Sequence, residues 1–283
     1  MRINHNISAM VTQSALYSVG VDMSTSLERL STGLRINRAS DDAAGLGVSE
    51  NLRTQVNGTA QATRNAQDGI AALNIAEGAA NEVSSVLQRM RELAVQTSND
   101  TLTSTERAYS QQEYGALQQE IDRISNSTNY NKQTLIGSSG AQRFGAVGAG
   151  SQLWVDANHT VGVDSITINI ATLSTNLLGV NAAATNLTTQ ASSVSAISLI
   201  DTAIDSVNSM RGTLGAYVNR LEHAINNLNV ANTNQQAAES QIRDVDFAQQ
   251  TSQYTRDQIL TQSATAMLAQ ANSVPQTVLQ LLK

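Results

Sequence analysis

The sequence has no cysteine and a single proline, and only nine of its 283 residues are aromatic. Lysine is nearly missing as well: Lys132 and Lys283 are the only two, against fifteen arginines. Without cysteine there is no disulfide, no thiol nucleophile and no thiolate metal site. His5, His159 and His223 are scattered, and none belongs to an H-E-x-x-H pair, so neither a metal centre nor any other cofactor is expected. A net charge of −6 with so few lysines leaves no basic cluster for phosphate, which argues against a nucleic-acid partner. No apolar run approaches the roughly 18 residues of a membrane span, and membrane insertion is not expected. The opening MRINHNISAM lacks the continuous apolar stretch of a cleaved secretory signal.

What is abundant is small and polar. Ser, Thr, Asn and Gln together number 107, whereas Leu, Ile, Val and Phe number 65, only just above the floor for a folded chain. That balance suits narrow helix seams better than a thick globular core. Charge divides the chain in three. Between Gln133 and Ile200 only Arg143, Asp156 and Asp164 are charged, and the flanks carry the rest.

The flanks have helical periods. Ile197, Ile200, Ile204, Val207, Arg211, Leu214, Val218, Leu221, Ile225 and Leu228 follow steps of three and four, a coiled-coil seam. The last segment repeats it with Leu260, Ala264, Met267, Ala271, Val274, Val278 and Leu281. Pro275 falls inside that run and is expected to kink the helix or start a short final turn. At the other end Ile3, Ile7 and Met10 begin a stripe that continues, after a register break, through Leu16, Met23, Leu27, Leu30 and Leu34. Ser40, Asp41 and Asp42 are N-cap residues for a helix over about 43–98, with the stripe Ala66, Ile70, Leu73, Ala76, Ala80, Val83, Leu87, Met90 and Leu93. A shorter helix begins near Ser104 and uses Tyr114, Leu117, Ile121 and Ile124.

The middle changes period. Ile166, Ile168 and Ile170 alternate with polar residues as in a strand, and 153–155 and 161–163 are shorter β-like pieces around a turn at 156–158. A small hairpin or two is expected there, with 172–195 a flexible, exposed connection. The fold class is therefore mainly α: long antiparallel coiled-coil helices, N- and C-terminal segments paired, with a small β-hairpin region between. The first ~40 and last ~38 residues form a pair that is marginal alone, because most helix stability comes from packing. Both ends are expected to pack against copies of the same chain; an intramolecular helical hairpin is the alternative.

Several motifs resemble bacterial flagellins. They are INHNISA at 3–9, LSTGLRINRASDDAAGLGVSENLRTQVNG at 30–58 and NAQDGIAALNIAEGAANEVSSVLQRMRELAVQTSN at 65–99. LGAYVNRLEHAINNLNVANTNQQAAESQIRDVDFAQQ at 214–250 and MLAQANSVPQTVLQLLK at 267–283 complete the set, in the family's order. The resemblance implies a subunit of the flagellar filament, serving motility and exported unfolded by the flagellar apparatus. The filament would be extracellular, or periplasmic in a spirochaete. It implies an inner-core coiled coil from 1–40 with 246–283, a helical bundle from 41–136 with 196–245, and a short variable segment at 137–195. Inner-core assembly then falls to Ile3, Ile7, Met10, Leu16, Met23, Leu27, Leu30, Leu34, Leu260, Met267, Val274, Val278 and Leu281. The bundle seam falls to Ile70, Leu73, Leu87, Met90, Leu117, Ile121, Ile197, Ile204, Leu214, Leu221, Ile225 and Leu228. The implied partners are the chain itself, an export chaperone, the filament cap and hook–filament junction proteins. The family is also contacted by an innate immune receptor of animal hosts at positions matching Arg89, Leu93 and Glu113. A hook–filament junction subunit and a soluble helical scaffold are the competing readings.

Individual residues carry blander or sharper readings. Arg211, charged at a seam position, either lays its stem along the seam edge or meets a carboxylate on a facing helix. Asp41 and Asp42 read as caps or as loop partners of Arg35 or Arg38 rather than a metal pair. Glu222 and His223 read as an exposed helix pair, and no nucleophile accompanies them, so an enzyme is not expected. Gly45 and Gly47 read as hinge or close-packing positions, and Trp154 as an anchor for the β region. Gln and Asn in the seams cost stability but fix register, so replacing them with Leu is expected to lock filament shape.

Overall fold

The computed structural model describes residues 5–137, 144–145, 150–158, 160 and 163–281, with the side chains of 275–281 outside the description. Among the described residues there are five helices: α1 Ile7–Thr32, α2 Ala43–Thr97, α3 Ser104–Ser127, α4 Gln190–Arg243 and α5 Phe247–Leu281. Between α3 and α4 lie two antiparallel hairpins, β1 Asn129–Tyr130 with β2 Gln133–Thr134, and β3 Ser151–Trp154 with β4 Ser165–Ile168. Two compact units result, one from 1–55 with 233–283 and one from 56–232. No helix among the described residues is long and apolar enough to cross a membrane.

The 56–232 unit is a helical bundle. Leu73, Leu87, Met90, Ile121 and Leu221 are fully buried, Leu214 and Leu228 nearly so. Ile70, Leu117, Ile197, Ile204 and Ile225 are half-buried at its edge. Arg211 meets a carboxylate on the facing helix: its Nη2 donates to Glu77 Oε1 of α2 at 2.8 Å. Asn232 donates to the Val56 carbonyl and to Thr59, tying α4 to α2 again.

The β3–β4 hairpin lies on α2 at two glycines eleven residues apart, three turns along one face. A Cβ on Gly69 would stand 2.3 Å from Leu153 Cδ2, and one on Gly58 2.6 Å from Ala157 Cβ. Asn65, between them, donates to the Trp154 carbonyl. Trp154 is half-buried in β3, opposite Ser165. Of the expected piece at 161–163, residues 161 and 162 lie outside the described residues and Val163 is an exposed turn residue.

One expectation needs correction. Residues 172–189 are not an exposed connection: Leu173, Val180, Thr185 and Leu187 are buried. Polar side chains of α3 hold the irregular backbone. Gln111 Oε1 accepts from Leu187 N, Gln118 Nε2 donates to the Val180 carbonyl, and Asp122 accepts from Thr175 N and Oγ1. Residues 190–195 already belong to α4. Of the hairpin or two expected, one forms at 129–134, where Asn131 and Lys132 take positive φ (48° and 64°) as a tight two-residue turn requires. At the C-terminal end α5 runs on past Pro275 to Leu281 as one helix.

Candidate functional site

The terminal unit is built around α1 and α5. Along α1 the half-buried or buried positions include Ala9, Thr12, Leu16, Val19, Met23, Ser26 and Leu30; along α5 they include Gln250, Tyr254, Asp257, Thr261, Ala264, Leu268 and Ala271. Both sets advance by alternating threes and fours, the period of a coiled-coil seam. Much of this seam is polar or small, with Ser26 and Asp257 its buried members.

The expected assembly residues divide between the seam and the outside. Leu16, Met23 and Leu30 sit in the seam, and Leu34 is half-buried just beyond α1. Ile7, Met10, Leu27, Leu260, Met267 and Val274 point outward; Met10 is 64% and Met267 62% exposed. Ile3 lies outside the described residues, as do the side chains of Val278 and Leu281. The α5 stripe splits because Ala264 and Ala271 belong to two heptad frames. The frame that faces α1 runs through Asp257, Thr261 and Leu268, and leaves the larger apolar side chains of the other frame outward.

The two turns of this unit clasp each other. Gly33 ends α1 with φ 75°, a left-handed conformation suited to glycine, and its amide donates to the Arg29 carbonyl. Val245 N donates to the Gly33 carbonyl and Arg35 N to the Arg243 carbonyl. The Arg35 guanidinium donates to the Ile242 carbonyl, while Arg38 pairs with Glu28. Among the described residues neither guanidinium forms an ion pair with Asp41 or Asp42, whose carboxylates serve as caps. Asp42 Oδ1 accepts from Gly45 N at 2.8 Å at the start of α2. A Cβ on Gly45 would collide with that carboxylate and with Ile36, so this glycine is a close-packing position; Gly47 has open space.

Asp41 Oδ2 accepts from the backbone amides of Arg38 and Asn37 at 2.9 and 3.1 Å. These bonds, Arg38 foremost, hold its carboxyl below the ordinary 3.8. Since the folded value is depressed, the turn's stabilisation is present above pH 3.8 and is lost as pH falls through the depressed value. Protection of the Asn37 and Arg38 amides, measured as exchange relative to the intrinsic rate at each pH, is therefore expected to hold at pH 4 and to fall only well below it. Protection already lost above pH 4 would refute the capping role.

Elsewhere, Arg89 and Glu113 are half exposed and paired at 2.8 Å, with Glu92 also on Arg89 at 3.0 Å. Leu93 is only 2% exposed and belongs to the bundle core, so the surface here is offered by Arg89, Glu92 and Glu113. Glu222 and His223 are exposed on α4. Thr103 and Glu106 form a capping box at the start of α3, a signal that the T-x-x-E spacing carries in the sequence.

Comparison with known proteins agrees with this architecture. The bacterial flagellin N-terminal helical region matches residues 3–140, and the bacterial flagellin C-terminal helical region matches 197–282. Flagellin of Halalkalibacterium halodurans is 45% identical over the full length of both chains. The flagellar filament 33 kDa core protein of Treponema phagedenis is 43% identical, also over the full length of both. The crystal structure of Bacillus cereus flagellin aligns with TM-score 0.50 and 30% identity over 58% of this chain and 88% of that one. A putative flagellar hook-associated protein from Vibrio parahaemolyticus aligns with TM-score 0.58 over 72% of this chain and all of that one, at 16% identity, a likeness of fold alone.

Proposed function

The chain belongs to the bacterial flagellin family and is a structural subunit of the flagellar filament, and on that premise we propose that its α1–α5 pair is the surface through which copies join. One observation carries the proposal. Of twenty large hydrophobic side chains exposed among the described residues, eleven lie on α1 and α5. Apolar side chains gathered on one pair of helices mark an interaction surface. Met10, Tyr17 and Leu268 line an open groove along the pair that a neighbouring helix face would fill.

The family pattern supplies the finer reading. Residues 1–40 with 246–283 act as the assembling segment, 41–136 with 196–245 as the bundle, and 137–195 as the short variable segment. The subunit is exported, kept from premature assembly by a chaperone, and added beneath a filament cap beyond the junction proteins. It acts outside the cytoplasm, on an extracellular flagellum or, in a spirochaete, a periplasmic one. Arg89 and Glu113 are the surface that an animal innate receptor would meet, with Leu93 beneath them in the core. Full-length identity to filament proteins, against 16% to the hook-associated protein, favours the filament over the junction.

Purified protein brought to salting-out conditions and viewed by electron microscopy is expected to form long helical filaments. A chain that stays monomeric, with ordered termini, would overturn the proposal in favour of a soluble scaffold.

A further inference from the structure

Pro275 is the chain's only proline, and it lies within α5. A proline inside a helix has no N–H, so the carbonyl four residues earlier loses its donor. For Pro275 that carbonyl belongs to Ala271. It accepts instead from the side chain of the opposite terminus: Asn6 Nδ2 donates to Ala271 O at 2.7 Å. The other end of the same amide caps α1, with Asn6 Oδ1 accepting from Ala9 N at 3.2 Å. Both ends of the amide are therefore engaged, one at each helix.

No other interior carbonyl of α5 is deprived of its donor in this way, because no other proline exists. Among the described residues the seam's one buried polar pair, Ser26 Oγ to Asp257 Oδ2 at 3.5 Å, is a weak landmark. Elsewhere the seam repeats every seven positions, so a slide of one heptad, about 10 Å, keeps seam facing seam. We infer that the Asn6 amide and the Ala271 carbonyl freed by Pro275 form a register lock, which fixes how far α1 and α5 are slid along each other. Any other register leaves Ala271 O without this donor and turns Asn6 toward carbonyls already bonded within α5. Pro275 thus creates the acceptor that Asn6 recognises, and the absence of a break at 275 has a partner in the sequence 269 residues away.

The lock is read through filament formation, and so rests on the assembly role proposed above. The test is a double-mutant cycle on the full chain with Asn6→Ser and Pro275→Ala. Serine keeps a capping oxygen but is too short to reach Ala271. Alanine at 275 restores the missing N–H. Asn6→Ser alone is expected to raise the critical concentration for polymerisation about fivefold, the worth of one hydrogen bond. In the Pro275→Ala background the same change is expected to shift it by less than about twofold, since the carbonyl is then bonded within its own helix. Equal shifts in both backgrounds overturn the lock. If Pro275→Ala filaments do not form, solid-state NMR of wild-type filaments decides, through a correlation between Asn6 15Nδ2 and the Ala271 carbonyl 13C; its absence overturns the lock. Failure of the wild type to polymerise counts against the assembly role instead, and the cycle is then read from loss of helix on heating the monomer.

Discussion

Deletion of residues 246–283 is expected to abolish polymerisation while leaving the bundle folded. The deletion removes all of α5, 35 residues, and strips α1 of its partner. An isolated 26-residue α1 with so few large apolar residues on its buried face is marginal in water. The core of the 56–232 unit loses nothing, since Leu73, Leu87, Met90, Ile121, Ile200, Leu214 and Leu221 all lie between its own ends. Sedimentation and electron microscopy should find only monomer under conditions where the full chain forms filaments. Circular dichroism should keep a cooperative thermal transition, with helix lost only from the ends. A truncated chain that still formed long filaments would refute the role given to α5, and a truncated chain with no transition would refute the independence of the bundle.

Much of this architecture is legible because helices announce themselves locally. The seam from Ile197 to Leu228 and the stripe from Ala66 to Leu93 place α4 and α2, and Asp42 three residues before Gly45 marks the start of α2. The rest is hidden where stability comes from distant polar partners. Residues 172–189 show no period, and Gln111, Gln118 and Asp122 look like a solvated face of α3. Yet these three lie seven and four residues apart on one side of that helix, and they hold the segment through its backbone. No local pattern encodes that arrangement. Arg211 is a second case: its place in an apolar period is visible, but Glu77, 134 residues away, is not. In α5 the ambiguity is one of frame. Two heptad stripes share Ala264 and Ala271, and hydrophobicity favours the one with Leu260 and Met267, whereas the fold buries the one with Asp257 and Thr261.

That choice of the polar frame leads to the other large expected effect. Asp257 is 3% exposed within the α1–α5 seam. Gln253 Nε2 donates to its Oδ1 at 3.0 Å, and Ser26 Oγ reaches its Oδ2 only at 3.5 Å. Among the described residues no cation pairs with it. A carboxyl group buried with so little compensation costs stability, and replacing such groups with apolar ones of similar volume commonly stabilises a fold. Asp257→Leu is therefore expected to strengthen α1–α5 pairing by about 2 kcal/mol. The wild-type chain forgoes that stability at one buried seam position. An apolar side chain in its place would make one packing much the deepest. Filaments of the variant are expected to depolymerise at a higher temperature than wild type and to keep a single helical form across a range of pH and salt. Electron microscopy across those conditions, with depolymerisation followed by light scattering, reads both. A lower depolymerisation temperature would mean that the Ser26 and Gln253 bonds outweigh the burial cost. A higher temperature with unchanged polymorphism would separate stability from form and remove Asp257 from the control of filament shape.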